Sequence, residues 1–207
     1  MFFFSHSIFI AAVLSIIKFK KINEAFWPFI YCLWIGSINE TLSAILILQH
    51  YNSSVSNNIY VLIEAVLLIF LFKNFEVFSR SKYLLRTLLL SLLLVWLIEN
   101  FIFSEIFKTA IYFRIFYSLI IVFMSINCIN DLIVNNRNSK AILVLCIAFV
   151  FYFTYKVFVY SFWISGLSNS FLSALVSIMM YVNLLTNLIY ALAVLWMPKK
   201  LEFSLRY

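Results

Sequence analysis

AILVLCIAFVFYF, residues Ala141–Phe153, is an unbroken apolar run, and LLRTLLLSLLLVWLI, Leu84–Ile98, is nearly another. Neither alternates apolar with polar, as a half-buried strand or a membrane barrel strand must. Both are rich in Leu, Ile, Val and Phe over lengths that suit helices. Working outward, 65% of the 207 residues are hydrophobic, 11% are charged, and the mean hydropathy is +1.05. Soluble domains are about half apolar and about a quarter charged. A water-soluble fold of this length cannot hide so much apolar surface, so lipid must solvate most side chains. The expected fold class is therefore all-α: a polytopic membrane helical bundle.

The apolar runs predict about seven transmembrane helices in one domain over 1–207: 2–17, 26–48, 59–72, 84–103, 110–133, 141–165 and 171–197. The first and third fall short of the roughly 20 residues that a full crossing needs. Pro28 sits in the first turn of span two, where a missing N–H costs little, and Pro198 ends span seven. Two Gly and two Pro in the whole chain imply long unbroken helices with few hinges.

Charge sets the expected orientation. Of the fifteen Lys and Arg, all but Lys108, Arg114 and Lys156 fall in the first, third and fifth connections, their flanks, or the tail. Rich and poor loops alternate throughout. The positive-inside rule puts the rich side in the cytoplasm, hence N-terminus out and C-terminus in, at the inner (plasma) membrane. The N-terminal MFFFSHSIFI lacks a positive leader and reads as an uncleaved anchor. The net charge of +7 is accounted for by these loops, and no direct nucleic-acid contact is expected.

Ionisable residues inside a bilayer cost roughly 2.5–3.5 kcal/mol each on insertion scales, so each needs a partner or a wet cavity. Glu40, Glu64, Glu99, Arg114 and Lys156 lie on five spans, all expected in the outer half. Asn183 and Asn187 share a face of span seven, as Tyr152, Lys156 and Tyr160 do on span six. The five ionisable residues with Asn183 and Asn187 form the candidate polar cluster. Two readings stand: helix glue that sets register, or a pocket open to the outer face for a polar ligand. No catalytic motif is present, and no enzyme activity, metal or cofactor is expected. His6 and His50 sit near the outer surface, and Cys32, Cys128 and Cys146 read as small buried hydrophobes.

The leading functional expectation is a membrane protein that binds or senses a small polar ligand. No loop holds a separate domain, so signalling output would pass through basic loops to a cytoplasmic protein partner. A transporter or an oligomeric channel is an alternative, although transporters favour helices broken by Gly or Pro. A retinal protein would want its lysine in the last span, which has none. Homo-oligomerisation stays open.

Two segments, NNIYVLIEAVLLIFLF (Asn57–Phe72) and NLIYALAVLWMPKK (Asn187–Lys200), resemble uncharacterised seven-helix inner-membrane proteins of bacteria. That resemblance implies the same bundle and brings no activity. Small multi-pass proteins of this kind also occur as accessory or effector proteins beside prokaryotic antiviral systems, RNA-targeting CRISPR loci among them. There the implied role is membrane perturbation or modulation of a partner nuclease.

Overall fold

The computed structural model describes residues 7–78, 82–135, 139–166 and 169–200. The start of the expected first span, His6, Arg80, Arg137 and Arg206 lie outside the described residues. Seven α-helices form among those described: α1 Ile8–Lys18, α2 Trp27–Leu48, α3 Ser54–Asn74, α4 Lys82–Ile98, α5 Ile111–Val134, α6 Lys140–Ile164 and α7 Asn169–Trp196. Six candidate spans, α2 to α7 with their flanking turns, are long and apolar enough to cross a membrane, and the chain is a multi-pass helical membrane protein.

α1, Ile8–Lys18, covers the described part of the expected first span. One helix differs from the sequence expectation. α3 begins at Ser54, earlier than the expected Ile59, because Asn52 Oδ1 accepts the Ser54 N–H at 2.8 Å and starts the helix. Polar residues Ser54, Ser56, Asn57 and Asn58 therefore belong to the helix, and Glu64 sits at its midpoint instead of near one end.

The packing order closes a ring. α1 packs on α2 and α7, α2 on α3, α3 on α5, α5 on α6, and α6 on α7. α4 stands outside, against α3 and α5. Close approach of α1 depends on small residues: Ala11, Ala12 and Ser15 are buried, and Trp34 Nε1 on α2 donates to Ser15 Oγ at 2.8 Å. Outward faces carry Ile45, Leu90, Phe123, Ile147 and Leu188, all exposed, as a surface wetted by lipid allows.

Opposite ends of the ring are tied differently. At one end Lys18 Nζ donates to the Leu195 carbonyl (2.9 Å), Asn23 N–H to Pro198 O (3.1 Å) and Lys200 N–H to Lys21 O (3.0 Å). Lys200 also pairs with Glu24 at 2.8 Å. This basic end gathers Lys18, Lys20, Lys21, Lys73, Lys199 and Lys200. At the other end Asn58, almost wholly buried, organises the chain between α4 and α5. Its Nδ2 donates to Asn100 Oδ1, Ile106 O and Lys108 O, and its Oδ1 accepts the Ala110 N–H. Trp96 Nε1 donates to its carbonyl at 2.9 Å.

α2 and α3 both end with a residue in the left-handed conformation, His50 (φ 60°) and Glu76 (φ 65°), followed by the bonds Tyr51 N–H to Leu46 O and Val77 N–H to Phe72 O. Glycine is the usual residue there. Replacing exposed His50 with Gly is expected to stabilise the protein by about 0.5–1 kcal/mol, since a side chain in this conformation costs about 1–2 kcal/mol before the extra freedom of glycine is set against it. Asn58→Leu is expected to cost about 2 kcal/mol or more by stranding several polar partners. Thermal unfolding in detergent micelles measures both.

Candidate functional site

The ring encloses a cavity of about 260 Å³, walled by α1, α2, α3, α5, α6 and α7. α4, outside the ring, contributes nothing to the lining. Beside it three helices meet through three polar side chains, of which Glu64 and Lys156 line the cavity. Tyr117 of α5 donates its hydroxyl to Glu64 Oε2 of α3 at 2.7 Å, and Lys156 Nζ of α6 donates to the same hydroxyl at 2.7 Å. Lys156 Nζ lies 3.5 Å from Glu64 Oε2, and Tyr60 donates to the other carboxylate oxygen at 3.1 Å. Both charged groups are buried, Lys156 at 5% exposure and Glu64 at 8%.

The ammonium is further enclosed by ring faces. Its distances to the centroids of Tyr152, Phe153 and Tyr117 are 4.8, 5.0 and 5.4 Å. Such contacts replace part of the hydration that burial removes. Gly36 on α2 makes room for this group: an added Cβ would lie 2.8 Å from Ile8 Cδ1 and 3.0 Å from the Tyr60 hydroxyl.

Towards the basic end the cavity stops on aromatic rings. Phe29, Phe149 and Tyr190 meet edge to face, with centroids 5.2–6.0 Å apart, and Phe72 packs beneath Phe149 at 6.1 Å. Towards the opposite end the walls are polar. Asn39 Nδ2 donates to Asn57 Oδ1 (2.9 Å) and Ser56 Oγ to Asn39 Oδ1 (2.7 Å), joining α2 to α3 beside Glu40.

Of the seven residues picked out in the sequence, Glu40, Glu64, Arg114, Lys156, Asn183 and Asn187 all line this cavity. Glu99 does not. It sits in a π-turn, Glu99–Phe103, and its carboxylate accepts the N–H groups of Tyr112 and Phe113, capping the open N-terminus of α5. Its job is to hold that helix end. The cavity is also deeper than expected: besides the outer-half residues it reaches Phe29 in the first turn of α2 and Leu68 on α3. Among the described residues no three His, Cys, Asp or Glu side chains converge as a metal set.

No family model, curated protein or solved structure matches this chain. The arrangement must therefore be read from its own chemistry.

Two lining residues keep unused hydrogen-bonding capacity. Arg114 is 9% exposed and donates one bond to the Tyr160 hydroxyl at 3.1 Å, yet its buried Nε–H has no acceptor. Asn183 Oδ1 is buried without a donor. By contrast, Asn187 is held by Ser7 Oγ at 2.8 Å.

Sequence reading passed over Tyr117, Tyr60, Asn39 and Asn57. The usable signal was their place inside apolar spans: Tyr117 lies three residues after Arg114, one turn along the same face.

Removing one member of the buried pair strands the other. Lys156→Met alone is expected to cost about 3 kcal/mol, whereas Lys156→Met combined with Glu64→Leu is expected to recover most of that loss. Thermal melts of the two purified variants decide between this and independent contributions.

Proposed function

We propose that this chain is a membrane receptor-like protein that binds a small polar ligand in the ring cavity. In this reading it crosses the inner membrane seven times, N-terminus outside and C-terminus in the cytoplasm, and passes its state to a cytoplasmic protein partner through its basic loops.

The observation that carries the binding reading is where the ion pair lies. Glu64, Tyr117 and Lys156 join α3, α5 and α6, and both charges face a cavity of about 260 Å³. Groups that serve only as helix glue are best buried in packed protein, where dispersion contacts add to the bond. Leaving a void beside a buried charge is costly unless something polar fills it. The volume lies just under the roughly 300–1,000 Å³ of drug-sized sites, which suits a ligand the size of an amino acid.

The ring helices favour binding over alternating access. Pro28 and Pro198 stand at helix ends, Gly166 follows the end of α6, α2 runs unbroken through Gly36, and the π-turn belongs to α4, outside the ring. Aromatic rings of Phe29, Phe149 and Tyr190 close the cavity toward the basic end. In this reading a ligand enters from the opposite end and rests on these rings.

The basic end supports the orientation. Lys18, Lys21 and Lys200 are drawn together by the pairing of residues 21–24 with 198–200, so two chain segments far apart in sequence bring their positive charge to one side. A reporter fused at the C-terminus is expected to be active only in the cytoplasm, and one inserted between Tyr51 and Ser53 only outside; the reverse pattern defeats the topology. Met180→Trp, which fills the cavity, is expected to abolish function while the protein stays folded and inserted. Retained function with a filled cavity would return the polar cluster to a structural role.

A further inference from the structure

Arg114 is a buried cation whose Nε–H has no acceptor. Its guanidinium donates one hydrogen bond to the phenol of Tyr160, whose ring centroid lies 5.7 Å below the guanidinium carbon. Among the described residues no ion pair to Arg114 forms, although Glu40 and Glu64 line the same cavity; Glu64 is taken by Lys156, Tyr117 and Tyr60, and Glu99 by the end of α5. A guanidinium removed from water is tolerated when an anion and hydrogen-bond acceptors replace the lost solvent. Here the Nε–H is buried, unpaired and part of the cavity wall. Two acids, Glu40 and Glu64, and two bases, Arg114 and Lys156, share the wall; Lys156 has its acid at 3.5 Å, whereas the Arg114 Nε–H is left as an unused donor.

The complement of this wall can be written down. An acceptor anion meets the guanidinium edge, where a planar carboxylate suits the two parallel N–H bonds that Arg can offer. A donor meets Asn183 Oδ1, the orphan acceptor on α7. Between them Met179, Met180 and Tyr152 offer an apolar and aromatic surface. The volume of about 260 Å³ admits one ring with short substituents and excludes a long acyl chain. Resting on the binding reading above, we propose that the ligand is a small amphipathic carboxylate that carries a hydrogen-bond donor, with Arg114 as its anchor and Asn183 as its second polar contact.

The test uses the full chain in detergent micelles with 4-hydroxyphenylacetate as probe, beside its neutral amide, 4-hydroxyphenylacetamide, and its cationic analogue, tyramine. Unfolding is followed by tryptophan fluorescence over a range of each compound. The carboxylate is expected to raise the unfolding temperature saturably and to bind about tenfold or more tightly than the amide or the amine, as one charged hydrogen-bonded contact requires. Arg114→Met is expected to raise the unfolding temperature of the ligand-free protein, because a buried donor without an acceptor is gone, and to abolish the carboxylate shift. Arg114→Lys should keep a reduced shift.

Equal binding of amide or amine overturns the carboxylate assignment. So does a shift that survives in Arg114→Met, loss of the folded protein in that variant, or no shift with any probe. If the amide or amine binds and Met180→Trp blocks it, the cavity still binds ligand and only the anion is wrong. If no probe binds and Met180→Trp remains functional, the binding reading falls as well.

Discussion

One hydroxyl holds the centre of this protein. Tyr117 lies between a buried carboxylate and a buried ammonium, donating to the first and accepting from the second, each at 2.7 Å. Neither ion could remain charged among apolar helices without such a partner. Because Glu64, Tyr117 and Lys156 come from α3, α5 and α6, satisfying the charges also sets the depth of each helix against the others. A shift of one turn in any of them would strand an ion. Register and electrostatics are here a single constraint.

Other features follow from it. With α3, α5 and α6 pinned at one level, α2 and α7 complete the wall and α1 fills the seam between them. The aromatic floor of Phe29, Phe149 and Tyr190 can then form, since its rings come from α2, α6 and α7. α4 takes no part in this group, carries its exposed leucines outward, and ends in the π-turn whose Glu99 caps α5. That cap matters to the cavity indirectly. It fixes the first turn of α5, from which Arg114 reaches the wall.

The polar residues thus divide by what they have left to offer. Asn58, Glu99, Glu64 and Lys156 spend their hydrogen-bonding capacity inside the protein, and their role is to assemble it. Arg114 and Asn183 face the same cavity with capacity unspent. Buried polar groups are nearly always paired, and of the unpaired ones these two are those that line the cavity. Charge alone does not separate the groups: Lys156 and Arg114 are both buried cations on one wall, and only their neighbours distinguish them.

Much was legible without coordinates. Long apolar runs such as Ala141–Phe153 dictate helices in lipid, because no other open structure satisfies its own backbone there. Six of the expected spans are long apolar helices, with ends within a few residues for all but α3. At α3 a local side-chain bond from Asn52 extended a helix that hydropathy would have begun later. Sequence also picked Glu40, Glu64, Arg114, Lys156, Asn183 and Asn187 by a simple cost argument, that ionisable and amide groups in a membrane need a reason. What sequence could not supply was pairing. Which acid meets which base depends on helix order and rotation, and those are decided by packing between segments far apart in the chain. Tertiary structure alone gave Lys156 its acid, made Glu99 a cap, and left the Arg114 Nε–H on the cavity wall without an acceptor.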